Sequence, residues 1–382
     1  MPRLMNDDGA SAGLFPRNAT AWALQRRALL FMALAAGPST LAWAAPSTSE
    51  LRPLRFPRDF GSHPEWRTEW WYITGHAEVP DAGGSRAFGF QVTFFRSRID
   101  AAQGLRSAFA AKQLIFAHAA ITDLKGQRLR HDQRIARTGM GVAHASEDDT
   151  DVLLRDWSLR REANGRYAAR VTGNEFSLEL DFVPSQPVLL QGDAGLSRKG
   201  AGANETSYYY SEPQLQVQGR VSLKEQRFAV RQGRAWLDHE WSETIMSPQA
   251  VGWDWIGINL HDGAALTAFR LRDRDGRPLW AGGSWRSKSG ELRVFSEGDV
   301  RFEPLRRWKS PSSQASYPVE WQVETPAGRF KIKALLDDQE LDSRGSTGTI
   351  YWEGVSDLLD EKGQAVGRGY LEMTGYAGKL SL

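Results

Sequence analysis

Residues Phe88–Arg98 read FGFQVTFFRSR. Phe88, Phe90, Val92 and Phe94 recur at every second place, with smaller or polar residues between the first three. That period puts the aromatic and branched side chains on one face of an extended strand. Working outward, the same alternation returns in YAARVTGNEFSLELDF (167–182), LQVQGRVSL (215–223), FKIKALL (330–336) and GYLEMTGYAG (369–378). Turn-forming clusters such as DAGG, LKGQ, ANGR, RDRDGRP, SKSGE and TPAG separate the runs. No segment carries a long amphipathic helical pattern. The reading is an all-β chain of many short strands, which means a barrel or a sandwich.

The pattern is also echoed within the chain. Trp70-Trp71-Tyr72-Ile73 leads through a hairpin to Thr93-Phe94-Phe95-Arg96-Ser97-Arg98. Trp253-Asp254-Trp255-Ile256 leads through another to Thr267-Ala268-Phe269-Arg270-Leu271-Arg272. Tyr210-Ser211-Glu212 has a counterpart in Tyr351-Trp352-Glu353. Landmarks in the same order point to a duplicated barrel with a seam near Gln232–Trp236. Arg96 and Arg270 are expected in equivalent places, Arg96 beside Trp70 or Trp71 and Arg270 beside Trp253 or Trp255.

The first residues read as a targeting segment. Arg26-Arg27 precede an uncharged, mostly apolar run that ends at the small-x-small site Ala42-Trp43-Ala44. This is the pattern of a secretory leader and is too short for a membrane span. The arginine pair points to the twin-arginine route, with the general route as the alternative. A periplasmic or secreted product is expected, starting near Ala45, with 45–62 as a linker. The 382 residues contain no cysteine, so disulfides and thiol nucleophiles are absent. The precursor's net charge of +2 comes from the leader, because residues 1–44 hold four arginines and two aspartates. A neutral remainder without basic clusters gives no footing for nucleic acid.

WLDHEW, Trp236–Trp241, sets Asp238, His239 and Glu240 between indoles. On a strand, Asp238 and Glu240 share one face and His239 takes the other. In an apolar cavity such groups would have shifted pKa values and could move protons. Nearby indole faces would steady a developing carbocation. The alternative is a buried ion-pair and hydrogen-bond knot joining the barrels, with strand arginines as partners. The segment is expected to be buried where the domains meet, with His239 lining an internal cavity and Asp238 or Glu240 paired with an arginine. Aromatic candidates for the substrate wall are Trp71, Tyr209, Trp241, Trp253, Trp255 and Trp352. Glu69 and Glu353 sit beside aromatics, a common place for a buried acid. The long Gly/Ser-rich stretch DAGLSRKGAGANETSYYYS (193–211) reads as a rim or lid. Beyond residue 44 there is no G-x-S-x-G elbow, and neither a P-loop nor a dinucleotide fingerprint occurs. The seven histidines are scattered, so a metal site would need distant strands. No cofactor is expected.

HPEWRTEWWYITGHAEV, AHAAITD, LLQGDAGLSRKG, SYYYSEPQLQVQGRV, WLDHEWS, GWDWIGINL and YWEGV together resemble the AttH/CrtC-like family of lipocalin-like proteins, across His63 to Gly378. The resemblance implies two consecutive lipocalin-like antiparallel barrels, here 63–233 and 234–382. It implies relatives among carotenoid 1,2-hydratases and secreted proteins labelled hydrolases, many encoded beside an ABC transporter permease. An apolar small molecule or lipid is the implied partner, with that permease as a possible second. The hydratase branch carries a His-x-Trp motif, matched by His239-Glu240-Trp241. It also has a carboxylic acid on the strand before an R-x-D-G turn. Here that strand, 266–271, has none, and Arg270 stands in its place. If the chain is an enzyme, a hydro-lyase or isomerase fits better than a serine or metal hydrolase. Otherwise it is a lipid carrier or an accessory of the transporter.

Overall fold

The computed structural model describes residues 52–202 and 204–379. The leader therefore lies outside the described residues. Among the described residues, apart from two single-turn 3-10 helices, the regular structure is strand. The first sheet contains β1 (Thr68–Asp81), β2 (Gly84–Arg98), β3 (Gln113–Asp123), β4 (Arg128–Arg137), β5 (Ala143–Ala145), β6 (Asp151–Leu154) and β7 (Trp157–Arg161). It continues with β8 (Tyr167–Thr172), β9 (Phe176–Val183), β10 (Leu189–Leu190), β11 (Leu196–Arg198), β12 (Thr206–Leu223), β13 (Gln226–Ala229) and β14 (Gln232–Ser242). The second sheet contains β15 (Gly252–Leu260), β16 (Ala265–Arg272), β17 (Pro278–Arg286), β18 (Leu292–Phe295) and β19 (Arg301–Lys309). It is completed by β20 (Ser316–Thr325), β21 (Gly328–Ala334), β22 (Glu340–Asp342), β23 (Ile350–Leu359) and β24 (Ala365–Met373).

The two sheets repeat one topology. In the first, the order runs β4-β3-β2-β1-β14-β12, then onward through β9 to β5. In the second it runs β18-β17-β16-β15-β24-β23, then through β21 to β19. Each opens with a four-strand meander, closes its last strand back onto its first, and curls around its own core. Because β14 pairs along its length with β1, the change of sheet falls between Ser242 and Gly252, not at 233/234.

Local chemistry explains the strands. In β1 and β2, Trp71, Ile73, Phe88, Phe90, Val92 and Phe94 all point into the first core. Their alternates do not face water, because the second sheet covers them. Tyr72, Trp236, Trp255, Phe269, Leu271, Val355 and Tyr370 form a separate apolar layer between the sheets. Gly89 lets the sheets approach: a Cβ there would fall 2.7 Å from Val355 and 2.8 Å from the Tyr370 hydroxyl. The β1–β2 hairpin turns on Ala82-Gly83, with Gly83 at φ 88°, a left-handed geometry that glycine takes without penalty.

Candidate active site between the two sheets

An apolar cavity lies between the barrels, not inside either one. About 960 Å³ there is free of atoms, its open mouth included. The wall is near-symmetric, because equivalent strands contribute to it. Trp70 and Tyr72 of β1 face Trp253 and Trp255 of β15, and Phe95 of β2 is matched by Phe269 and Leu271 of β16. From the closing strands come Asp238 and Glu240 of β14 and Glu372 of β24, with Tyr209, Tyr351 and Glu353 from their neighbours β12 and β23. Among the described residues, Lys199 is the one lysine or arginine on this wall. It reaches in from the long Gly/Ser-rich stretch, 2.9 Å from Glu240, with its ammonium 4.4 Å from the centre of the Phe269 ring.

Four carboxyl groups in an aromatic cavity cannot all carry full charge cheaply. Glu353 and Glu372 are direct cross-strand partners. Burial pushes both upward, and the charge of Glu372 raises Glu353 further; Glu372 stands at about 8. At neutral pH the pair therefore holds at least one proton. Glu353 Oε1 is buried and has no aligned hydrogen bond, and neither does the nearby Tyr72 hydroxyl. Asp238 differs. Burial pushes it up to about 7 against three donors, namely Ser211 Oγ at 2.6 Å, Tyr209 Oη at 2.7 Å and Trp236 Nε1 at 2.6 Å. On the far wall His118 is buried, and burial lowers it to about 3, so it is neutral. It bridges Tyr351 Oη at 2.9 Å and Ser346 Oγ at 2.8 Å.

His239 takes no part in this wall. Strand alternation turns it into the first barrel, where it is fully buried. Its Nε2–H donates to Glu69 Oε1 at 2.9 Å and its Nδ1 accepts from Tyr210 Oη at 3.0 Å. The same Glu69 oxygen accepts from His63 Nδ1 at 2.8 Å, and its other oxygen accepts from Arg96 Nε at 2.7 Å. His63 Nε2 reaches Asp59 at 3.1 Å, and Asp59 is forked by Arg52. Trp241 stacks on His63 at 3.7 Å and Trp71 on His239 at 4.7 Å. Burial favours the neutral form of His63, but the two carboxylates outweigh it and hold the ring protonated. His239 has one carboxylate partner, and burial lowers it to about 4. Burial would raise Glu69, yet Arg96 and the two histidines hold it well below the usual range.

Several expectations change accordingly. WLDHEW is buried and one of its faces meets the second barrel, but His239 does not line this cavity. Glu240 pairs with Lys199, and Asp238 with neutral donors, so neither has an arginine. Tyr209, Trp253 and Trp255 stand on the cavity wall, whereas Trp71 and Trp241 lie in the first core and Trp352 in the second. Residues 52–62 are no linker, since Arg52, Asp59 and Ser62 are built into the Glu69 knot. Arg96 bonds the carbonyls of His63 and Trp66, and Arg270 lies over Trp321 at 4.9 Å; neither packs on the indoles expected for it.

The knot also contains a metal-type donor set. His63, Glu69 and His239 place two imidazoles and a carboxylate within 4.8 Å of one another. Every one of those ligand atoms is already in a hydrogen bond, and Arg96 holds the second carboxylate oxygen. An ion would have to displace both imidazole protons, so the donors fit their present partners better than a metal.

Comparison with known proteins now adds to this geometry. The AttH-like family model matches residues 47–376. The chain belongs to the AttH-like family. A solved Nitrosomonas europaea protein assigned as an AttH is 46% identical, over 87% of this chain and 99% of that one, with a TM-score of 0.80. Kievitone hydratase of Nectria haematococca shares the fold at 13% identity, over 88% of this chain and 96% of that one, with a TM-score of 0.66. CghA, solved with Sch210972, shares it at 12% identity, 88% and 95% coverage, and a TM-score of 0.56. Among curated proteins, none matches.

For this AttH-like chain, Glu372 and Lys199 escape a reading of the sequence. The signal for Glu372 is faint but real: GYLEM sets an acid where strand alternation demands a buried side chain. Lys199 gives none, because nothing local says which loop residue turns inward.

Proposed function

We propose that this protein binds a large apolar, unsaturated ligand between its barrels and acts on it by acid–base chemistry of the hydratase or isomerase type. The observation that carries this reading is the facing pair Glu353–Glu372, which keeps a proton at neutral pH on a wall rich in aromatic rings. A carboxylic acid held protonated can deliver its proton to an alkene carbon. The cation formed would lie among the faces of Trp70, Trp253, Trp255 and Tyr72. Water then adds at the cationic carbon and gives its proton to a carboxylate, for which Asp238 or Glu240 on the opposite sheet is placed. Loss of a neighbouring C–H proton to the same base would instead give an isomer. The fold shared with a hydratase supports the class of chemistry and says nothing of the substrate. The leader pattern supports a periplasmic location for this activity, and N-terminal sequencing of exported protein, starting near Ala45, tests that part.

The test of the chemistry is incubation with lipid and isoprenoid extracts in oxygen-18 water, read by mass spectrometry. Hydration adds one labelled water to a defined component. Glu353→Gln is expected to lower the rate by about 100-fold or more while the protein still melts as a folded species. A ligand that co-purifies, with no turnover in any extract, would reduce the reading to that of a carrier.

A further inference from the structure

A second space adjoins the cavity. It offers about 710 Å³ on the same measure and is bordered by β2 and β3. Trp70, Phe95, Ile245 and Thr347 line both spaces, so they form the joint between them. Beyond the joint the wall is mainly Ile99, Leu114, Phe116 and Ile135, and Ile135 is 39% exposed where the trough meets solvent.

The two spaces differ in what their polar atoms are doing. In the cavity, Tyr72 Oη, Gln91 Oε1 and Glu353 Oε1 are buried without an aligned partner. In the trough, the polar side chains other than Ser97 are already bonded to protein. Thr68 Oγ1 donates to the Ser242 carbonyl, Glu69 accepts from Arg96, and Ser346 Oγ donates to Gln133 Oε1 at 2.6 Å. The Glu69–Arg96 pair on the floor is internally neutralised. A buried polar atom lacking a partner seeks one from a ligand, and a satisfied one does not. The cavity is therefore built for a polar or reactive end, and the trough for hydrocarbon.

We infer that the trough binds the long apolar chain of the substrate, which enters the cavity past Ile245 with its reactive end first. Resting on the function proposed above, this narrows the substrate class to linear amphiphiles: one unsaturated or oxygenated end on an extended, flexible chain. A compact polycyclic ligand would fill the cavity and leave the trough unused. Ile245 sits on the connection between the sheets, so the joint can widen without disturbing either barrel's hydrogen bonds.

The test is displacement of N-phenyl-1-naphthylamine from the full-length protein by straight-chain alcohols from hexanol to hexadecanol. Each methylene that enters an apolar wall strengthens binding about threefold to fourfold. The wild type is expected to show that gain well beyond the length that fills the cavity. Leu114→Trp and Ile135→Trp both narrow the trough and line no part of the cavity; Ile135 lies at its exposed edge, where folding tolerates a larger ring. In both, short alcohols should bind as before and the gain should stop several methylenes earlier. Leu305→Trp, exposed on β19 and lining neither space, should follow the wild type throughout. Identical chain-length profiles in the wild type and both trough variants would overturn the trough and leave the cavity standing. Failure of every alcohol and of the dye to bind would overturn the cavity reading, and the trough with it.

Discussion

Both barrels carry a buried acid–arginine pair across their first two strands, and they surround it differently. Glu69 faces Arg96 across β1 and β2, and Asp254 faces Arg270 across β15 and β16. Asp254 is satisfied simply, by Arg270 at 2.8 Å, by the Tyr376 hydroxyl at 2.8 Å and by the nearby Arg272 at 3.4 Å. Glu69 has the arginine and also two histidines, a serine and a backbone amide. The shared part must be what a barrel of this topology needs, since it recurs where no histidine is present. His63 and His239 are then additions that tie the segment before β1 onto the first barrel. The cavity wall shows the reverse asymmetry. In the first barrel Asp238 faces Ser211 and Glu240 faces Tyr209; in the second, the equivalent strands set Glu353 against Glu372. One acid is anchored by donors and the other pair is left to share a proton. This is how a duplicated scaffold comes to hold a base on one side and an acid on the other.

Removing the acid from each pair tests the first comparison. Glu69→Ala strands Arg96 and a protonated His63 in the core, and a loss of about 3–5 kcal/mol is expected. Asp254→Ala leaves Arg270 partly exposed and still bonded to the Phe302 carbonyl, and Arg272 bonded to the Thr374 carbonyl, and should cost about half as much. Chemical denaturation of both variants reads the difference. Equal losses would mean that the histidines contribute nothing beyond the architectural pair.

The dependence of stability on pH tests the second. Asp59 and Glu69 are lowered, so their contribution is present above the ordinary carboxylate range and is lost as pH falls through it. Asp238, Glu212, Glu353 and Glu372 are raised, chiefly by burial. Their protons favour the fold below the ordinary range, and that stability drains as pH rises through about 7 to 8. His63 is raised too and adds to the loss on the alkaline side. Burial lowers His76 and His118 to about 3 and His239 to about 4, so their contribution grows as pH rises to the ordinary histidine range and offsets most of the carboxyl loss below it. Stability should therefore stay nearly level between about pH 5 and 6.5 and fall from there towards pH 9, by about 1.4 kcal/mol per pH unit for each proton that the unfolded chain has already lost. Glu372→Gln should flatten the alkaline limb. An alkaline limb that the variant leaves unchanged would remove the shared proton from the description.

Much of the fold was legible and less of the site, for one physical reason. Alternation in Phe88–Arg98 reports which side chains share a face, and the repeated T-x-F-R-x-R reports that the unit occurs twice. Neither reports which face meets the core and which meets the other barrel. Trp70 and Trp71 look alike in sequence and end on opposite sides of β1. The echo was also misplaced. The paired acids show that Asp254 matches Glu69, so Trp255, not Trp253, stands where Trp70 does. Tyr210 and Tyr351 lie on equivalent strands but face the first core and the cavity respectively, because a one-residue offset inverts a strand's faces. His239 was prominent for the same reason that it was misleading: its neighbours Asp238 and Glu240 belong to the cavity, and it does not.

The smallest expected effect separates the anchored acid from the shared pair. At about pH 6 Asp238 largely keeps its proton, as do Glu353 and Glu372 between them, so an amide replaces a neutral group in either place. In Asp238→Asn the amide must still satisfy Ser211, Trp236 and Tyr209, all of which donate to the carboxyl when it is ionised. Its oxygen can keep the first two, and its nitrogen must turn to Tyr209, whose hydroxyl then has to accept. One rearranged hydrogen bond costs about 1 kcal/mol. Glu372→Gln has no comparable set of donors to reorganise, and it removes the repulsion from Glu353, so its cost should be near zero or slightly negative. Thermal melts of the two variants at about pH 6 read this difference as a few degrees. If Glu372→Gln proves the more damaging, Glu372 is an anchored carboxylate and the acid must be sought elsewhere on the wall.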